Sequence, residues 1–195
     1  MLDLLLPTVC VACGHGHQVL CRTCEHALSC SPDIVPPEGV DQVLAAFAYE
    51  GVGAALVAGL KYHGARPARL RVASAMAALV EAGEVDLVTW APTTAAHRRQ
   101  RGFDPAEVLA RPVARSLRRP AQPSLVRLDG PTQTGRTRAE RLGDPPRFAA
   151  RRRVRGRVLL VDDVVTTGGT MASAAATLRA AGAASVVALA AARTP

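Results

Sequence analysis

Residues 158–170 constrain the fold of this 195-residue chain more than any other stretch. Four apolar residues are followed by Asp162, Asp163 and two valines, and the stretch ends in Thr166, Thr167, Gly168, Gly169 and Thr170. A short apolar run bounded by turn residues predicts a buried strand. The two glycines permit the tight turn and close backbone approach needed between a strand and a following helix. We therefore predict a strand, a loop and a helix in direct succession.

A loop of this kind is suited to binding an anion. Its backbone N–H groups, its hydroxyls and the positive end of the helix dipole converge on one point. The two carboxylates cannot serve the same anion, because like charges repel, so they require hydroxyl groups or a metal ion. A phosphorylated sugar meets both demands, with ribose hydroxyls on Asp162 and Asp163. The candidate phosphate ligands are Val165, Thr166, Thr167, Gly168, Gly169 and Thr170.

Two other classes of protein also place acids after an apolar strand. A Walker B segment is excluded because the single lysine, Lys61, lies outside any Walker A loop. A receiver domain lacks the Thr-Thr-Gly-Gly-Thr sequence that follows the acids here. A plain structural strand, turn and helix is the remaining alternative.

Strand and helix patterns alternate along most of the chain. The predicted strands cover residues 43–49, 85–91, 157–162 and 185–191, and the predicted helices cover 52–62, 68–82, 106–117 and 169–181. Residues 120–157 are rich in Pro, Gly and Arg and show no clear period. This alternation predicts an α/β domain with a doubly wound, mostly parallel sheet. We assign that domain to residues 41–195 and a linker to residues 31–40.

Residues 1–30 contain all five cysteines, four of them in two closely spaced pairs. Each Cys-x-x-Cys pair places two thiolates on one metal ion, and the pairs Cys10–Cys13 and Cys21–Cys24 complete a tetrahedral site. We predict a small zinc ribbon or knuckle with a structural role, although an iron–sulfur cluster uses the same ligands. His15, His17 or His26 would be able to replace one thiolate, and Cys30 has no partner.

The charge distribution favours anionic partners. The formal net charge is +8, and residues 111–157 contain 14 Arg against three acidic residues. Such a region attracts phosphorylated small molecules or nucleic acid, unless it is simply a solvated loop. No run of about 18 apolar residues predicts a membrane span, and the first residues do not resemble a secretory signal. We therefore expect a cytoplasmic protein.

Residues 158–170 resemble the signature of the type I phosphoribosyltransferases at every position. The cysteine pairs ahead of such a domain narrow the resemblance to the ComF-like phosphoribosyltransferases. Shorter similarities along the chain lie at Phe47, Tyr49 and Gly51, at Leu60, Lys61, Tyr62 and Gly64, at Arg101, Gly102 and Phe103, at Thr132, Gln133 and Thr134, at Arg141 and Phe148, and at Ala191, Ala192 and Arg193.

The resemblance implies binding of phosphoribosyl pyrophosphate with Mg²⁺, and transfer of the phosphoribosyl group to an unidentified acceptor. Asp162 and Asp163 are then catalytic as well as substrate-binding. Arg99 or Arg101, which follow the strand at 85–91, are candidates for neutralising the departing pyrophosphate. Arg138 and Arg141 resemble residues of a flexible loop that closes over the substrate. Lys61 is a candidate for the opposite wall of the site.

A second hypothesis is a catalytically silent module that senses phosphoribosyl pyrophosphate or binds single-stranded DNA. The ComF resemblance implies handling of incoming DNA in natural transformation, with the DNA-uptake machinery as a possible associate. The 3% aromatic content argues against base stacking but permits arginine contacts to phosphates. A purely structural zinc protein is a third, weaker alternative.

Overall fold

A computed structural model describes residues 9–16, 18–31, 35–60, 66–128 and 146–194. Its strands are β1 Gln42–Ala48, β2 Leu87–Trp90, β3 Leu125–Leu128, β4 Arg147–Ala150, β5 Arg157–Val165 and β6 Ser185–Arg193. Its helices are α1 Arg22–His26, α2 Gly51–Gly59, α3 Arg66–Ala77, α4 Ala95–Arg101, α5 Pro105–Leu117 and α6 Gly169–Ala180. A 3-10 turn covers Ala82–Glu84.

The central sheet has four strands in the order β1-β6-β5-β2, all parallel. The apolar first half of β5 is buried, as expected for a parallel strand that is covered on both faces. Because the strands are parallel, their carboxyl ends meet at a single edge, which is where open α/β sheets bind ligands. The segments that follow β1, β2, β5 and β6 are therefore neighbours.

Helices cover both faces of the sheet, so the predicted doubly wound α/β fold is confirmed. Helices α2, α3 and α5 pack on one face, where Leu56, Met76 and Leu109 join a core that includes Leu159 of β5. Helix α6 packs on the other face together with an antiparallel hairpin of β3 and β4. The three layers fix the position of the carboxyl edge.

The N-terminal segment packs on the face that carries α2 and α3. Cys10, Leu20 and Cys24 are buried in the same core cluster as Leu56 of α2. An ion pair between Glu25 and Arg71 also links α1 to α3. The segment is thus held against the domain by apolar contacts and not only by its chain connection. The domain boundary predicted at residues 31–40 stays a prediction.

Most predicted elements are present with shifted ends. The strand predicted over 157–162 continues to Val165, so both acids lie within the strand. The helices predicted over 52–62 and 68–82 are observed as α2 and α3, which end at Gly59 and Ala77. The structure adds α4 and the β3–β4 hairpin, which lie where no period was detected. Four-residue strands and a seven-residue polar helix are too short for periodicity to reveal them.

Candidate functional site

The two acids lie near the carboxyl end of β5, at the ligand-binding edge of the sheet. Oδ1 of Asp162 accepts the backbone N–H of Asp163 at 2.8 Å, and Oδ1 of Asp163 accepts the N–H of Val164 at 2.9 Å. Burial, reinforced by the charge of Asp163, raises the pKa of Asp162 well above its ordinary value. A carboxylate accepts hydrogen bonds and a protonated carboxyl can also donate one, so Asp162 can bind sugar hydroxyls in either form.

The Thr/Gly loop leads directly from β5 into α6. Gly168 has a φ of +79° and is the N-cap of α6, so the helix begins immediately after a left-handed residue. A Cβ added at Gly168 would lie 3.3 Å from Cγ of Pro37. Glycine is therefore required here by both the backbone conformation and a neighbouring side chain. The side chains of Thr166 and Thr167 are exposed.

A cleft of about 180 Å³ opens beside the acid pair. It brings together carboxylates and guanidinium groups from three separate parts of the chain. Its lining residues include Thr93, Arg101, Asp104, Arg127, Asp162, Asp163 and Thr170. A cleft with both charge types can bind hydroxyls or a cation on one side and phosphate oxygens on the other. Arg101 and Thr170, both predicted site residues, meet the acid pair here.

Asp104 is the third carboxylate of the cleft, and its position is set by helix capping. Its Oδ1 accepts the N–H of Ala106 at 3.1 Å and that of Glu107 at 3.4 Å, at the start of α5. Its Oδ2 accepts the N–H of Thr93, 2.9 Å away, which ties α5 to the segment after β2. Burial raises the pKa of Asp104. These bonds give Asp104 a structural role within the cleft.

The predicted arginines divide into two groups in the structure. Arg101 lines the cleft at the end of α4. Arg99 is exposed on the same helix and does not line it, so the structure brings only one of these two candidates to the acids. Arg138, Arg141 and Lys61 lie outside the described residues.

A second, smaller pocket of about 80 Å³ lies against the Thr/Gly loop. Thr166, Thr167 and Gly168 form one side of it, and Arg193 at the end of β6 also lines it. Pro37 contributes to the wall from the segment before β1. The acid pair therefore lines the larger cleft, whereas Thr166, Thr167 and Gly168 line the smaller pocket.

Sequence reasoning missed several residues that the fold brings to this edge. Arg127 lies on β3, in a stretch without detectable period, and its guanidinium is 5.9 Å from the ring centroid of Phe148. Arg193 had been noticed as part of a family resemblance but not assigned a role. Neither position carries a local motif. Only the location of these two arginines within strands indicates that they lie near the site. That location can be recognised only when the order of the strands in the sheet is known.

The four predicted metal ligands form a compact cluster. The Sγ atoms of Cys10, Cys13, Cys21 and Cys24 all lie within 4.8 Å of one another, and those of Cys13 and Cys21 are 3.7 Å apart. Zn–S bonds of about 2.3 Å in a tetrahedron place sulfurs about 3.8 Å apart, so the cluster fits zinc. Cys30 lies outside the cluster, as predicted, and so do His15 and His26. His17 is not among the described residues.

The environment of the cluster shifts the pKa values of Cys24 and Cys10 in opposite directions. Burial, together with the neighbouring thiols of Cys21, Cys13 and Cys10, raises the pKa of Cys24 to about 12. Burial acts in the same direction on Cys10, but hydrogen bonds, including the backbone N–H of Cys21, outweigh it and lower its pKa to about 6. A bound metal ion would favour the thiolate form of all four cysteines, because metal ligands must be deprotonated. The cluster could therefore hold a zinc ion.

Among the described residues, no helix is both long and apolar enough to cross a membrane.

Part of the chain is similar to known proteins. Residues 106–194 match the family model described as "Phosphoribosyl transferase domain". No curated protein sequence matches the chain significantly. One similar solved structure is described as the allosteric regulatory enzyme of purine biosynthesis, at 26% identity, covering 63% of this chain and 25% of that one, with a TM-score of 0.44.

A second is glutamine phosphoribosylpyrophosphate amidotransferase from B. subtilis complexed with ADP and GMP. It is 28% identical over 62% of this chain and 25% of that one, with a TM-score of 0.43. The chain thus covers about a quarter of the length of these two proteins. The segment that matches the phosphoribosyl transferase model contains α5, the acid pair, the Thr/Gly loop and Arg193.

Proposed function

We propose that the chain binds phosphoribosyl pyrophosphate and transfers its phosphoribosyl group to an acceptor. The observation that carries this is the arrangement at one sheet edge of the acid pair, the Thr/Gly loop and Arg101. The acids bind the ribose hydroxyls, and the N–H groups at the start of α6 bind the 5′-phosphate. Arg101 and Arg127 line the same cleft as the acids, and there they bind the pyrophosphate oxygens.

The transfer breaks the bond between C1′ and the pyrophosphate oxygen and forms a bond from C1′ to the acceptor. Pyrophosphate departs with the bonding electron pair, and positive charge develops on the ribose ring. The guanidinium groups of Arg101 and Arg127 stabilise the departing anion, and their fixed position costs no reorganisation during the reaction. Asp162 and Asp163 hold the ribose so that C1′ faces the acceptor.

Mg²⁺ is the metal ion proposed for this step. Among the described residues, the acids of the cleft do not form a three-ligand cluster of their own. That suits Mg²⁺, which is commonly bound through one or two carboxylates plus substrate phosphates. Asp163 and Asp162 would supply the carboxylates, and the ion would add positive charge beside the leaving group.

The cysteine cluster is proposed to hold a structural zinc ion. All four ligands come from the protein, which leaves no open position for a substrate. The cluster stands next to a phosphoribosyl transferase domain, an order that supports the finer assignment to ComF-like proteins.

Calorimetric titration with phosphoribosyl pyrophosphate and Mg²⁺ tests the proposed function. We expect the Asp162→Asn/Asp163→Asn variant to bind at least about tenfold more weakly, because two contacts to ribose hydroxyls are changed. Asp86→Asn is the matched control, since Asp86 pairs with Arg157 at the opposite edge of the sheet. Equal affinity of the double variant and the wild type would contradict the role of the acid pair.

A binding surface for nucleic acid is a second candidate, because exposed arginines also lie at the amino edge of the sheet. Arg118, Arg152, Arg153 and Arg155 are exposed, and in the described part of the chain their side chains form no ion pair. This edge is opposite the Thr/Gly loop, so DNA binding there would be separate from phosphoribosyl pyrophosphate binding. Any association with DNA-uptake machinery would use this second surface.

Retention of single-stranded DNA over a salt series tests this candidate. We expect the logarithm of the affinity to fall linearly with the logarithm of salt concentration. Replacing Arg152, Arg153 and Arg155 with Gln should reduce that slope by about 2 if each contacts a phosphate of single-stranded DNA. A slope that does not change in the triple variant would exclude this surface.

A further inference from the structure

The pocket against the Thr/Gly loop has an uneven charge distribution. Nine residues line it, and Arg193 is the only one with an ionisable side chain. The others are the Thr and Gly residues of the loop and the apolar side chains of Val35, Pro37, Val43, Val165 and Met171. The acid pair lines the other cleft. Among the residues that the structure describes, the lining of the small pocket therefore carries one positive charge and no negative charge, which suits an anion.

The backbone of Arg193 is held on both sides within the sheet. It lies opposite Val165 of β5 and next to Ala48 of β1 in the strand register. Its carbonyl accepts the N–H of Tyr49 at 2.5 Å, and the following N–H, of Thr194, binds the carbonyl of Val165 at 3.0 Å. Since adjacent strands are about 4.8 Å apart, Arg193 stands one strand spacing from the residue that precedes the loop. Its position relative to the loop is fixed.

The loop by itself offers only neutral donors. A sugar phosphate is largely a dianion at pH 7, since its second pKa is near 6. A charged partner beside the N–H groups strengthens the binding of a dianion, and an arginine bonds phosphate oxygens in a bidentate manner. The side chain that meets this need is Arg193. It lies 23 residues after Thr170 in the sequence and lines the same pocket as the loop.

We propose that Arg193 binds the phosphate monoester of the sugar substrate from the β6 side of the Thr/Gly loop. The inference rests on the proposed function and assigns the 5′-phosphate, rather than the pyrophosphate, to the small pocket. Pro37 also lines the pocket, next to Gly168 of the loop. The phosphate site is thus built from three segments that are distant in the sequence.

Two anions distinguish this pocket from the larger cleft. Ribose 5-phosphate carries the monoester, and inorganic pyrophosphate with Mg²⁺ carries only the leaving group. We expect Arg193→Gln to weaken ribose 5-phosphate binding by about 10- to 100-fold, the usual effect of losing a hydrogen bond to a charged group. Pyrophosphate affinity should stay within about twofold. Arg193→Lys should lose less, because it keeps the charge.

Arg152→Gln is the matched control, since it removes the same charge at the opposite edge and should change neither affinity. Ribose 5-phosphate affinity of Arg193→Gln within about twofold of wild type would overturn the inference and leave the proposed function intact. If wild-type protein binds neither ribose 5-phosphate nor phosphoribosyl pyrophosphate, the proposed function itself fails.

A spectroscopic measurement on the wild-type protein keeps the inference testable if Arg193→Gln does not fold. With ¹⁵N-labelled arginine, the Nε resonance of Arg193 is assigned as the one missing from Arg193→Lys. It should shift on addition of ribose 5-phosphate and not on addition of pyrophosphate. An unchanged Nε resonance at saturating ribose 5-phosphate would overturn the inference.

Discussion

The backbone N–H of Asp163 donates a 2.8 Å hydrogen bond to Oδ1 of Asp162. This bond favours the charged form of Asp162, yet burial and the adjacent charge of Asp163 outweigh it and raise the pKa of Asp162. The protein therefore holds a carboxyl that resists ionisation at the centre of its site. Sites that bind or transform ligands commonly contain such groups.

Asp162→Asn should change the pH dependence of stability. Unfolded Asp162 loses its proton near pH 3.9, whereas the native carboxyl keeps it to higher pH. Because the native state then binds more protons, stability falls as pH rises from about 4 through the raised pKa. Asn does not ionise, so the variant should gain stability relative to wild type at pH 8 compared with pH 4. Thermal unfolding between these pH values measures the difference.

Asp86→Asn is the control of opposite sign. The hydrogen bond from the Arg157 side chain lowers the pKa of Asp86 to about 2. Its contribution is present above pH 3.9 and is lost as pH falls toward 2. Asp86→Asn should therefore destabilise the protein at neutral pH and have little effect on stability near pH 2. If the stabilities of wild type and Asp162→Asn depend on pH in the same way, the pKa of Asp162 is not raised and the prediction for Asp162→Asn is contradicted.

Gly168→Ala should destabilise the protein and weaken phosphate binding. A non-glycine residue at a φ of +79° costs about 1–2 kcal/mol, and the new Cβ would press on Pro37. Gly51→Ala is the control, since Gly51 has a φ of +46° but an added Cβ would meet nothing within 4 Å. Urea unfolding and ribose 5-phosphate titration check both variants. Full ribose 5-phosphate affinity in Gly168→Ala would contradict the proposed loop geometry.

Cys24→Ser should abolish stoichiometric zinc binding, and Cys30→Ser should not. Cys24 is buried within the four-thiol cluster, whereas Cys30 is exposed and outside it. Because metal binding contributes to the folding free energy, Cys24→Ser and chelator treatment should both lower Tm by several degrees. Metal analysis and thermal unfolding test this. An unchanged Tm of the wild-type protein after chelator treatment would contradict a structural role for the metal.

Arg101→Gln should weaken binding of Mg²⁺–pyrophosphate by about 10- to 100-fold, since it loses a charged hydrogen-bond donor in the cleft. Arg99→Gln removes the same charge from the exposed face of α4 and should have less than about a twofold effect. Calorimetry on both variants measures the contrast. Equal losses would indicate that general charge, and not the position of Arg101 in the cleft, governs pyrophosphate binding.

Local sequence predicted the contiguous parts of the structure well. The strand, loop and helix of residues 157–180 follow from an apolar run, two glycines and a helical pattern that lie within one segment. The cysteine cluster follows in the same way, because the spacing within each pair limits where the thiols can lie. The proposed phosphate loop and the candidate metal ligands could therefore be predicted without any knowledge of strand order.

Residues that meet across the sheet could not be found in that way. Arg127, Arg193 and Pro37 reach the site only because β5 and β6 are adjacent, the β3–β4 hairpin covers one face and the segment before β1 crosses the loop. Those contacts depend on the packing of distant segments, whose energy is non-local and leaves no period or spacing in the sequence. The chemistry of the acids and the loop is encoded locally, whereas the charges that surround them are assembled by the fold.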